Sequence, residues 1–196
     1  MKKHLALAVA LAIAPFAASA DGLDYTYIEG GYANVEIDTG DALVGEIDFD
    51  GFQVRGSAAI SESFYLLGGY GNVSNDDYSM DVDFSELQFG LGYRHGLSDR
   101  ADLVTEVSYL RQEIDFDGFG SEDASGGRVS VGVRGLLADN FEGYVKGSYT
   151  DGGDFDGDFS GTLGAQFKFT PTWGVVGEIE AGDDVSKYLV GVRASF

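Results

Sequence analysis

Apolar and polar side chains alternate along this chain with a period of two, and the last nine residues show it most cleanly. Tyr188, Val190, Val192, Ala194 and Phe196 fall on one face of an extended strand, and Leu189, Gly191, Arg193 and Ser195 on the other. A strand that is apolar outside and polar or small inside suits a β-barrel in lipid better than a sheet packed on a soluble core. Read between turn signals, the same alternation predicts ten segments, at 25–36, 47–60, 63–74, 81–95, 101–114, 127–137, 140–150, 158–169, 172–182 and 187–196. Each is near the roughly 9–11 residues that a tilted membrane strand needs. The fold class that follows is all-β, a closed antiparallel transmembrane β-barrel of ten strands, with eight as the alternative count.

The connections alternate in length. Short turns are expected at Ser61-Glu62, His95 to Arg100, Ala138 to Asn140 and Pro171, and longer acidic, Gly-rich loops near 37–46, 75–80, 115–126, 151–157 and 183–186. In outer-membrane barrels the long loops lie outside the cell, so an even strand count puts both termini in the periplasm. The outward parity then sorts the aromatics by depth. Phe64, Tyr93, Phe141, Phe169, Trp173 and Phe196 fall at the periplasmic ends; Tyr32, Tyr70, Tyr109, Tyr149 and Tyr188 fall at the outer ends. Two girdles at two interfaces are what amphipathic rings prefer.

Inward parity collects charges of both signs. The acids are Glu29, Glu86, Glu106, Glu142, Glu178 and Glu180; the bases are Arg55, Arg94, Arg134, Lys146, Lys168 and Arg193. A lone charge in a narrow bore is costly, so neighbours of matching height should pair. Height matches Glu29 with Arg193 and with Arg55, Glu106 with Arg134, and Glu142 with Lys168. The structural reading of these groups stands beside a pore-tuning one, because lumen charges set selectivity wherever water passes. Inward glycines such as Gly69, Gly90, Gly92 and Gly132 would leave room for a bore.

The N-terminal end carries a different pattern. Lys2 and Lys3, the apolar run Leu5 to Ala14 and the small residues Ala18-Ser19-Ala20 form a secretory signal, with the barrel domain over 21–196. The apolar run is too short to cross ~30 Å of hydrocarbon. Residues 1–20 hold two of the twelve basic residues and none of the 33 acidic ones, so the exported chain has 10 bases against 33 acids, a net −23. Most of the excess acid lies in or beside the long loops, against Arg111, Arg128 and Lys187. Such a charge argues against nucleic acid and against direct contact with anionic head groups. There is no cysteine, hence no disulfide or thiolate chemistry.

Resemblance adds a family. Gly22 to Tyr32 (GLDYTYIEGGY), Asp50 to Ser57 (DGFQVRGS) and Leu67-Gly68-Gly69-Tyr70 resemble strands of the Ax-type, diffusible-signal-factor-regulated outer-membrane barrels. The terminal Phe196 resembles the C-terminal signal that barrel-assembly machinery reads. The resemblance implies a small barrel in the outer membrane of a Gram-negative bacterium and little about an activity.

Candidate chemistry is sparse. Asp154, Asp156 and Asp158 offer carboxylates in flexible backbone, the hard oxygen ligands that Ca²⁺ or Mg²⁺ takes, but the run is no EF-hand, since Ala165 stands at the twelfth position from Asp154. A solvated, self-repelling loop is the competing reading. An acidic rim beside the phosphates of lipopolysaccharide and outer-membrane lipid needs divalent cations between them. His4 leaves with the signal and His95 is expected in a periplasmic turn, so no general base stands near the outer rim. Adjacent Asp76 and Asp77 point to opposite sides of an extended chain. The pattern calls for no cofactor and no enzyme. It points to a structural and surface-interaction protein, with a narrow pore for small solutes or cations as the alternative.

Overall fold

The computed structural model describes residues 22–40, 45–75, 82–116 and 120–196. The expected signal segment, parts of three outer loops and Asp76-Asp77 lie outside the described residues. Ten strands follow one another: β1 (Tyr27–Asp38), β2 (Glu46–Ala59), β3 (Phe64–Asn75), β4 (Val82–Ser98), β5 (Ala101–Phe116), β6 (Gly120–Ala138), β7 (Phe141–Gly152), β8 (Phe155–Lys168), β9 (Trp173–Ala181) and β10 (Val185–Ser195). Each pairs antiparallel with the next, and β1 closes on β10, with Glu29 opposite Arg193 and Gly31 opposite Gly191. Closure leaves no strand edge within the barrel, the condition for placing a sheet in hydrocarbon.

Several connections are shorter than the sequence suggests. The turn expected from His95 to Arg100 narrows to Asp99-Arg100, because a register shift between Gly96 and Ser98 carries β4 onward. His95 therefore sits in a strand, opposite Leu103, and not in a turn. The expected loop 115–126 is largely hairpin: β5 and β6 stay paired out to Phe116 opposite Gly120. Beyond the lipid a strand needs no apolar face, so periodicity fades while the backbone ladder continues. Similarly β7 reaches Gly152 and β8 begins at Phe155, turning through Gly152 and Gly153 at φ 83° and 64°. Those values favour glycine.

The outward face is the apolar one. Phe64, Tyr93, Phe141, Phe169, Trp173 and Phe196 ring the periplasmic end, and Tyr32, Tyr70, Tyr109 and Tyr149 the outer end, all exposed; Tyr188 is half-buried. Cross-strand ring pairs knit the girdles, with centroids 5.2 Å apart for Phe64–Tyr93 and 4.5 Å for Tyr149–Phe159.

Inside, the barrel is filled in layers. Under the outer mouth lies an apolar cluster, Ala33, Val35, Phe49, Val73 and Leu189, packed against Ile37, Ile47 and Phe84. At the periplasmic end a second cluster joins Tyr25, Tyr65 and Val104. Glycine makes room for these rings. A Cβ at Gly92 would stand 2.1 Å from the Tyr65 ring, and one at Gly164 would stand 2.2 Å from the Tyr144 ring. Each tyrosine lies flat across the glycine of its partner strand.

This topology predicts the pattern of surface digestion. Trypsin added to intact cells should cut after Arg111, in the projecting β5–β6 hairpin, and leave Arg100 intact. Cleavage after Arg100 would invert the orientation.

Candidate functional site

The lumen holds the chemistry of this protein. Inward positions on β1, β2, β6, β7, β9 and β10 meet as one chain of ion pairs. Glu178 pairs with Arg55 at 2.6 Å, and Arg55 Nε donates to Glu29 at 2.6 Å. Glu29 also accepts from Arg193 Nε at 2.6 Å. Arg193 stands 3.6 Å from Glu142, which takes two hydrogen bonds from Arg134, at 2.7 and 3.0 Å. Alternating charge in this order leaves each ion with an opposite neighbour. Glu29 and Arg193 are 2 % exposed and Glu142 1 %, so water screens them little.

Neutral donors and rings complete the shell. Tyr144 donates to Glu178, and Tyr65 donates to Glu106 at 2.8 Å. Lys146 pairs with Glu106 at 3.1 Å. The Arg193 guanidinium lies 4.0 Å over the Tyr27 ring, a cation–π contact worth about 2 kcal/mol where water is excluded.

Toward the outer mouth, Lys187 pairs with Glu86, which also accepts from Gln112, and Arg128 pairs with Glu180 at 3.2 Å. Arg128 and Lys187, which the sequence sets beside the loops at the starts of their segments, lie inside the bore, because β6 and β10 begin earlier, at Gly120 and Val185.

The periplasmic end is stoppered by the segment that precedes β1. Asp24 receives the Lys168 ammonium at 2.5 Å, and its carbonyl accepts from Arg134 at 2.8 Å. Tyr25 donates to Asp102 at 2.9 Å, and its ring packs tilted against Tyr65 with centroids 4.9 Å apart. Arg94 and Arg134 flank its ring at 4.7 and 4.5 Å. Burial pushes the Tyr25 phenol up from its ordinary range, so it remains a donor.

Of the pairs expected from height, Glu29 meets both Arg193 and Arg55. Two others are re-paired. Register sets Arg134 opposite Asp102 and Glu106 opposite Ser130, so Arg134 takes Glu142 and Glu106 takes Lys146. Lys168, lower on its strand than Glu142's partner Gln166, takes Asp24. The glycines expected to open a bore are occupied too: Cβ atoms at Gly69 and Gly132 would meet the stems of Arg55 and Lys146 at 2.9 and 2.5 Å. Among the described residues, two cavities of about 90 and 60 Å³ lie along the bore, room for a few waters, with Arg55, Arg128, Glu178 and Glu180 lining both.

Asp154, Asp156 and Asp158 do not converge. Asp154 accepts from the Ser125 backbone at 3.0 Å, while Asp158 lies on β8 opposite Thr150, and Asp156 is exposed on the same strand. Among the described residues no three His, Cys, Asp or Glu side chains are placed to hold a metal ion. Phe196 is on the outer face at the end of β10, its backbone N–H donating to Thr26 at 2.9 Å.

The chain of pairs makes a quantitative prediction. Arg193→Ala takes one of two cationic partners from Glu29 and from Glu142 in the bore and should cost about 3–5 kcal/mol of barrel stability. Adding Glu29→Ala should recover part of that cost, giving a coupling of about 1–3 kcal/mol in a urea-unfolding double-mutant cycle. Additive single effects would contradict the pairing.

Solved structures are similar to this chain at low identity, two of them with a TM-score of 0.51. The translocator domain of the autotransporter NalP from Neisseria meningitidis superposes with a TM-score of 0.51 at 13% identity, covering 100% of this chain and 95% of that one. The KdgM porin, in complex with disordered oligogalacturonate, gives 0.51 at 12% identity, over 87% of this chain and 99% of its own. Ail, the attachment invasion locus protein of Yersinia pestis, gives 0.48 at 13% identity, over 89% and 100%. A search of curated proteins finds no match. The family model for the outer membrane protein beta-barrel domain matches residues 4–191, and the chain belongs to that family, an outer-membrane barrel of a Gram-negative bacterium.

Proposed function

We propose that this protein is a sealed structural barrel that works through its outer surface. The observation that carries the reading is the filled lumen: a layer of linked ion pairs, closed below by Asp24 and Tyr25 and bounded above by the Phe49–Leu189 cluster. Eight-stranded barrels are filled by side chains and sixteen-stranded ones carry water; ten strands with this filling belong with the former. Catalysis has no support at the outer rim, because His95 lies at the opposite end of β4.

The working surface is acidic. Asp48, Asp50, Glu122, Asp123 and Asp156 are exposed at the outer ends of their strands and Asp183 in the β9–β10 turn, with Arg111 beside Asp123. Lipopolysaccharide phosphates repel such a rim unless divalent cations lie between them, so Mg²⁺ or Ca²⁺ is the expected bridge to lipid or partners. Within the barrel family, the Gly22–Tyr32 and Asp50–Ser57 strands favour the Ax-type group. Phe196, outward at the end of the closing strand, suits recognition by the assembly machinery.

A narrow pore is the second reading, favoured by the two cavities along the bore. Planar-bilayer recording separates the two. The sealed barrel gives no conductance above leak, whereas stable conductance whose selectivity shifts on neutralising Arg55 would make it a pore. A second expectation concerns the rim: purified barrel should retain lipopolysaccharide in millimolar Mg²⁺ and release it in EDTA. Retention indifferent to EDTA would remove the cation bridge.

A further inference from the structure

The lipid-facing side of β6 to β10 is not smooth. Gly135, Gly143, Ala165 and Gly177 are consecutive cross-strand neighbours on the outward parity, and the row ends on Val190. One step above it, Val133, Val145, Leu163 and Ile179 form a wall; Leu137 and Phe141 stand below. Between the walls lies an open trench of about 840 Å³, almost wholly apolar.

The trench has a slope. At its lower end Gly135 pairs with Ala101, the first residue of β5, beside the periplasmic turn. Followed the other way, the row passes Val190 to Tyr32, Phe52 and Asn72, near the outer end of β3. It therefore climbs from the periplasmic interface. Four strand spacings of ~4.8 Å make it roughly 19 Å long. At a tilt near 45° it rises roughly 14 Å, about half the ~30 Å hydrocarbon thickness, which is one leaflet.

Arg100 stands at the mouth. Its guanidinium donates to the Leu136 carbonyl at 3.2 Å and to Asp139 at 3.0 Å, and its side chain is 49% exposed. It lines the lower end of the trench.

We infer that the trench seats one acyl chain of a periplasmic-leaflet phospholipid, with the phosphate on Arg100. A guanidinium at the interface pairs with a phosphate through charge-assisted hydrogen bonds. The Gly and Ala floor lets a methylene chain lie close to the backbone, and the flanking Val, Leu and Ile side chains touch it on both sides. Dispersion supplies the preference, because lipid tails gain nothing hydrophobic from leaving other tails. Lipopolysaccharide is excluded as occupant by the direction of the slope, which reaches mid-membrane from the periplasmic side.

Native mass spectrometry of the purified barrel with added phosphatidylethanolamine tests this. A Cβ at Gly177 meets nothing nearer than the Leu189 carbonyl at 4.0 Å, so Gly177→Leu fills the trench without disturbing the sheet. Gly68 is outward on the far side, where a Cβ meets only the Gln88 carbonyl at 3.5 Å, and Gly68→Leu serves as the control. Wild type and Gly68→Leu should each retain one phospholipid, while Gly177→Leu retains roughly tenfold less and Arg100→Gln roughly fivefold less. Heat-modifiable gel migration reports folding, and Arg100→Gln alone carries the test if Gly177→Leu does not fold. Equal retention by wild type and the folded variants would overturn the inference. So would a wild-type dimer that Gly177→Leu dissociates, since the trench would then be a contact between copies.

Discussion

An ionised carboxylate in the bore of a narrow barrel has little water to solvate it, and Glu29 is the carboxylate that the rest of this structure answers to. It sits between Arg193 across the closing seam and Arg55 on the other neighbouring strand. Those two arginines in turn fix Glu142 and Glu178, so the pairing that closes the sheet also orders the lumen. Removing the charges in concert could be nearly neutral for stability; removing one alone cannot be, because the partner stays buried. The network thus specifies which strands meet more than it adds to the total stability.

Filling a ten-strand bore with side chains this long requires somewhere for their stems and rings to lie. Glycine supplies it. Tyr65 over Gly92 and Tyr144 over Gly164 turn a deletion of side chain on one strand into a seat for a ring from the next, and each ring then donates to an acid of the network. The glycines that might have hollowed the barrel are the ones that let it be packed. On the outer face the same residue has the opposite effect, since nothing from a neighbouring strand covers Gly177 and the sheet is left with a trench.

Lipid imposes the features that the sequence displays most clearly. Val190, Val192 and Phe196 must face hydrocarbon and Arg193 must not, so strand count, parity and both girdles are legible from alternation alone. The seam is legible for the same reason, because Glu29 and Arg193 stand on the two strands that closure makes neighbours. Pairings elsewhere depend on stagger, which alternation does not encode; Glu106 and Arg134 are on adjacent strands yet at different heights. Alternation carries the first segment back to Tyr25 but does not reveal the stopper, since β1 begins at Tyr27 and Asp24 and Tyr25 lie in a short stretch of chain that is not strand. The cluster around Phe49 and Leu189 was hidden for another reason. Ile37, Val35 and Phe49 are apolar on the inward parity, where the pattern promised polar residues. Outside the membrane the pattern weakens again, which is why the β5–β6 hairpin reads as a loop.

The central claim is that the bore is closed to solutes in the resting barrel. The chain has no cysteine, so a single one placed at Ser148, which is buried in the lumen and bonded to Ser130 at 2.9 Å, is an uncluttered probe. The measurement is its rate of modification by a charged methanethiosulfonate in the folded barrel, against a cysteine at exposed Ser121 on the outer hairpin. A sealed lumen makes Ser148→Cys at least roughly a hundredfold slower, with reactivity restored on unfolding, since thiolate access controls the rate. Comparable rates at the two sites in the folded protein would show that solutes reach the centre of the barrel, and would contradict the account.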